Sequence, residues 1–190
     1  KYSIYTIFVF LITCFFHNGE NRRDQIMSDV ISYYGYLPAM FIYHDVSLSF
    51  IDADREAFKD QYWPETTPEG KHVLKTTMGL GILYMPFFFL AHVYAKFSHY
   101  AADGFSRPYH TALVISCFFY LMIGLWYLRK LLLRYFTDNI TALTLLGVYF
   151  GTNLVWYSTR EAAMSHAFLF SIISIYLYFT VLWHEKPDWK

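Results

Sequence analysis

Two polar segments of this sequence hold the side chains able to do chemistry. One carries Asp24, Asp29, Asp45, Lys71 and Lys75; the other is the turn Ser158-Thr159-Arg160-Glu161, followed by His166. A carboxylate can take a proton from a hydroxyl, and lysine or arginine can hold an anion such as phosphate. Histidine can change its charge near neutral pH. Each residue also has a plainer use. Asp29, beside Ser28 and just ahead of an apolar periodic run, can cap a helix. Lys75 and Arg160 can snorkel at helix ends, His166 can pack and hydrogen-bond, and Glu161 can sit solvated beside Arg160.

The elements that must position these groups are membrane helices. Of 190 residues, 56% are apolar, 22% aromatic and only 16% charged, against about 25% charged in a soluble domain. The missing charge is concentrated in long stretches, the pattern lipid selects. The spacing predicts spans near 2–16, 111–128, 140–157 and 163–183. The bulky Cys14-Phe15-Phe16-His17 lacks the small residues of a signal-peptide cleavage site, so the first run reads as an uncleaved span. Residues 17–76 form a polar outer loop that holds most of the carboxylates. Its amphipathic piece is 30–43, with Ile31, Tyr34, Leu37 and Phe41 at helical spacing and Pro38 as a kink or interruption.

Residues 78–97 are apolar enough to span but contain Gly79, Gly81, Pro86 and His92, so a helix lying in the interface competes with a crossing. Charge bias chooses between them. With Lys1 cytoplasmic, an interfacial 78–97 puts Arg129, Lys130 and Arg134 inside together with Lys186 and Lys190. A crossing 78–97 would put the short cationic loop outside. The expected fold is therefore all-α and membrane-embedded: one membrane domain over 1–190, about four spans, an interfacial helix at 78–97 and an outer loop with short amphipathic helices. Both polar segments then share the non-cytoplasmic face, where charged residues at membrane depth are costly to keep and are functional candidates. The chain is apolar from its second residue and ends in a polar stretch, and reads as part of a longer membrane protein.

Formal net charge is zero, so no basic field points to nucleic acid. Cys14 and Cys117 each lie in apolar runs and read as buried free thiols. The histidines lack the close spacing of a zinc site, and no Gly-rich phosphate loop, Gly-x-Ser-x-Gly elbow or Cys-x-x-Cys pair is present.

Four places in order resemble the type C membrane glycosyltransferases, the superfamily of the protein O-mannosyltransferases and the lipid A aminoarabinose transferase. Ser28-Asp29, with Tyr33-Tyr34-Gly35-Tyr36-Leu37-Pro38 after it, resembles the acidic motif of the first outer loop. Lys75-Thr76-Thr77-Met78-Gly79 is similar to the stretch opening the interfacial helix, although the family's two prolines are absent. Leu128-Arg129-Lys130-Leu131 resembles the basic close of the second span. Trp156-Tyr157-Ser158 through His166 is similar to the segment before the next span, with His166 where an acid is common. The family normally has more spans and often a soluble C-terminal domain, neither of which this chain carries.

The resemblance implies a sugar carried on a polyprenyl phosphate, presented at the outer face and transferred with inversion to an acceptor hydroxyl. It gives Asp29 the role of base, Lys75, Arg160 and His166 that of holding the donor phosphate, and Tyr33, Tyr34 and Glu161 contacts to sugar or acceptor. Tyr33, Tyr34 and Tyr36 serve equally as an interfacial aromatic belt. No cofactor is required, and a divalent cation near Asp29 is compatible with the sequence. The expected partners are the lipid-linked sugar, membrane lipid and further membrane segments or subunits; the expected location is a bacterial inner membrane. The rival is a non-enzymatic membrane subunit or transporter whose outer loop docks a partner. Transporters often show internal repeats, and none is evident.

Overall fold

The computed structural model describes residues 1–20, 24–185 and 187, with the backbone alone for 14–20. Lys186 and Lys190, and the side chain of Cys14, therefore lie outside the described residues. The chain divides into two compact units, Asp24–Ser116 and the combination of Lys1–Arg23 with Cys117–Lys190.

In the first unit, α2 (Asp29–Tyr34) and α3 (Tyr36–Phe41) form the amphipathic pair, and α4 (Phe50–Ala53) and α5 (Arg55–Phe58) follow. Ile31, Tyr34 and Leu37 are buried as their spacing predicts. The interruption falls at Gly35, one turn ahead of Pro38. A proline ring removes the hydrogen bond to the carbonyl four residues back, here Tyr34, and clashes with it, so the helix breaks there. Pro38 itself sits in the first turn of α3, where its missing N–H costs nothing. Gly35 has little room: a Cβ would come within 2.8 Å of both the Ile31 carbonyl oxygen and the Tyr62 ring.

The loop also holds an element that hydropathy did not predict. Strands β1 (Glu65–Thr66) and β2 (His72–Val73) pair antiparallel around a turn containing Gly70 at φ +78°. α6 (Gly79–Lys96) runs as one helix through Pro86, and its Gly81 lets it approach the Tyr33 carbonyl, where a Cβ would meet the oxygen at 2.9 Å. Tyr34 fills the centre of this unit against Tyr84, Phe88 and Phe105.

α7 (Arg107–Leu132) begins in the first unit and ends in the second, which also contains α1 (Tyr2–Glu20), α8 (Asp138–Phe150), α9 (Trp156–Thr159) and α10 (Ser165–Glu185). Phe10 of α1 is fully buried and stacks on Tyr149 of α8 at 4.3 Å. α7 and α10 meet through small residues: Ser171 Oγ donates to the Tyr120 carbonyl at 2.6 Å, and a Cβ on Gly124 would lie 2.7 Å from Ser171 Cα. Close backbone approach through small residues is how helices associate where lipid removes the hydrophobic drive between them.

α6, α7 and α10, about 27, 39 and 32 Å long at 1.5 Å per residue, are long and apolar enough to cross a membrane. Their outer faces carry Leu90, Val93, Ile172, Tyr176 and Phe179 in the open, an exposure suited to lipid rather than water. The protein is integrated in a membrane. α8 departs from the expected 140–157 span: its 13 residues end at Phe150, giving about 20 Å, short of a hydrocarbon core of about 30 Å.

The helix ends of the second unit are tied together at one side. Asp138, at the start of α8, accepts from the Ser3 hydroxyl and, at 2.6 Å, from the Tyr2 amide of α1. Arg129, near the end of α7, donates through Nε to Ser3 Oγ at 2.7 Å. Arg134 pairs with Glu185 at the end of α10.

Candidate functional site

Asp29 is the first residue of α2, one place inside the position a capping aspartate occupies. The cap position belongs to Ser28, held at φ +49° and making no side-chain capping bond. The Asp29 carboxylate is thus not spent on capping. It faces the Lys75 ammonium at 4.0 Å, with both side chains more than half exposed. A pair so open to water adds about 0–1 kcal/mol to stability, so folding alone gives little reason for it.

Lys75 owes its place to the segment joining β2 to α6. The Tyr36 hydroxyl lies 3.4 Å from the carbonyl oxygens of both Leu74 and Thr76, bracketing Lys75. Leu74 is buried beside Gly35. Thr76 Oγ1 is buried and finds no hydrogen-bond partner among the described residues. Tyr33 is half-buried on α2, one helical turn beyond Asp29.

Tyr34, expected to contact sugar or acceptor, is fully buried and donates its hydroxyl to the Gly104 carbonyl at 2.5 Å. Burial pushes that phenol well above its ordinary pKa. Its ring and hydroxyl are both committed to the interior, and this corrects the expectation of a ligand contact. Asp45 is likewise used locally. It accepts from the hydroxyls of Ser47 and Ser49 and from the Phe50 amide, and clamps a turn that holds His44 and Leu48 at φ +54° and +62°. The Ser47 hydroxyl, then that of Ser49, hold its carboxyl well below the usual carboxylate range.

The other candidates lie in the second unit. Arg160 closes α9 and is half-buried, while Glu161 and His166 are exposed. His166 stacks face to face on Tyr157, with ring centroids 3.6 Å apart and planes 2° from parallel. Behind this turn, Tyr149 and Ser158 share a buried hydrogen bond of 2.9 Å, and Thr159 Oγ1 donates to the Val155 carbonyl at 2.6 Å. These bonds hold the backbone that carries Arg160.

One cluster went unnoticed in the sequence. His72 Nε2 lies 2.7 Å from the Asp52 carboxylate, in a depression of about 440 Å³ lined also by Ser47, Ser49 and Lys71. Hydrogen bonds from Arg55 and then His72 hold the Asp52 carboxyl below its ordinary value. Asp52 and His72 are twenty residues apart, so no local spacing announces them. The only signal was the turn sequence Thr67-Pro68-Glu69-Gly70, which folds the hairpin and returns His72 towards α4.

Set beside known protein families, curated proteins and solved structures, the chain matches none. The class these features define is a helical integral membrane protein with a charged pair at the base of its polar loop.

Proposed function

We propose that the protein is a membrane glycosyltransferase that moves a sugar from a polyprenyl phosphate to an acceptor hydroxyl on the non-cytoplasmic face of a bacterial inner membrane. The observation that carries this reading is the 4.0 Å approach of Asp29 and Lys75, a carboxylate and an ammonium with complementary parts in such a transfer. Asp29 accepts the acceptor's hydroxyl proton as its oxygen attacks the anomeric carbon. The bond from that carbon to the phosphate oxygen breaks, its electron pair stays with the phosphate, and the sugar inverts. Lys75 meets the charge gained by the departing phosphate. Tyr33, one helical turn beyond Asp29, touches sugar or acceptor.

The test is Asp29→Asn in the full-length protein, assayed for transfer from a lipid-linked donor. Loss of transfer with retained folding supports the reading; undiminished transfer removes it.

A further inference from the structure

A groove of about 460 Å³ runs between α6 and the beginning of α7, away from the Asp29–Lys75 pair in sequence and in lining. On one side the two helices are joined by the 2.6 Å hydrogen bond between His92 Nδ1 and the Tyr109 hydroxyl. On the other they part. The groove has a polarity gradient. At the end nearest the connecting loop stand Arg107, Tyr94 and Tyr100, the two tyrosine rings 6.3 Å apart. Further along, past Thr111, the lining of Phe87, Ala112 and Ile115 is apolar. Phe87 and Ile115 lie about 10 and 12 Å along their helices from Tyr94 and Arg107.

Arg107 is exposed and makes no ion pair among the described residues. A cation at the mouth of an apolar groove, on helices that belong in a bilayer, is complementary to an anionic head followed by a hydrocarbon tail. The volume lies within the 300–1,000 Å³ or so of small-ligand sites, and is narrow for a partner helix about 10 Å across. We propose that this groove binds one anionic glycerophospholipid, with its phosphate on Arg107 and an acyl chain lying along Leu90, Phe87 and Ile115. Tyrosine at the mouth suits the boundary between headgroup and chain. The site does not depend on the transferase reading.

The test places the full-length protein in phosphatidylcholine nanodiscs doped with phosphatidylglycerol and counts retained lipids by native mass spectrometry. The wild type is expected to keep phosphatidylglycerol in preference to phosphatidylcholine. Arg107→Gln, an exposed change that leaves the fold intact, should lower that preference about fivefold. Ala112→Phe should fill the groove and release the retained lipid. An unchanged preference in Arg107→Gln overturns the proposal. So does displacement by inorganic phosphate, which would make this a free-anion site, or by equimolar polyprenyl phosphate, which would give the groove to an isoprenoid instead.

Discussion

The Lys75 ammonium stands 4.0 Å from the Asp29 carboxylate, across the gap between the start of α2 and the segment leading into α6. If the pair serves chemistry, Asp29→Asn should lower the transfer rate by about 10²–10⁴-fold, the usual worth of a positioned base. Lys75→Gln should weaken transfer as well. Both variants should melt within about 1 kcal/mol of the wild type, because the pair is open to solvent. Steady-state transfer and thermal unfolding, measured together, separate this outcome from a purely structural ion pair.

Tyr34→Phe tests the opposite situation. It removes the hydroxyl that the Gly104 carbonyl accepts in the interior, and should cost about 1–3 kcal/mol of stability. The apparent KM for donor and acceptor should stay unchanged, since the ring meets no ligand. A change in KM at unaltered stability would restore Tyr34 to the binding surface.

Gly124 is the contact point of α7 with α10. Gly124→Leu puts a branched side chain where even a Cβ would reach Ser171 Cα at 2.7 Å. Overpacking of this kind costs about 1–3 kcal/mol, read as a lower melting temperature in detergent. Gly147, which has nothing within 4 Å of its Cβ position, is the control, and alanine there should be tolerated.

The ties Ser3–Asp138, Arg129–Ser3 and Arg134–Glu185 put four helix ends on one side of their unit. With Cys14 and Cys117 replaced by serine, cysteines introduced at Tyr135 and at Trp183 should label from the same side of the membrane. By the positive-inside bias that side is expected to be the cytoplasmic one. Labelling from opposite sides would break this arrangement of the helix ends.

Asp45 and Asp52 give the polar loop a pH dependence whose sign follows from their lowered pKa values. A carboxyl depressed in the folded state binds fewer protons there than when unfolded, so it stabilises the fold above its unfolded value of about 3.9. That contribution is lost as pH falls through the folded value. Amide exchange at Ser47 and Phe50, whose N–H groups are held by Asp45, should therefore be steady near neutrality and accelerate below about pH 4, after correction for intrinsic rates. Asp45→Asn should remove most of this acid response.

Sequence alone determined what single-helix physics can determine. Long uncharged runs gave the membrane class, and the spacing of Ile31, Tyr34 and Leu37 gave the buried face of the loop helices, because burial of a stripe needs only a helical period. It put Asp29 and Lys75 in the same polar loop. Tertiary structure decided the rest. Tyr34 and Tyr33 are neighbours of one type, yet packing against Tyr84 and Phe88 takes one inside and leaves the other at the edge. The Asp52–His72 pair depends on a hairpin closing across the loop. The 4.0 Å approach of Asp29 to Lys75 spans 46 positions of chain, and distances between residues so far apart are set by how elements pack, which no local pattern encodes.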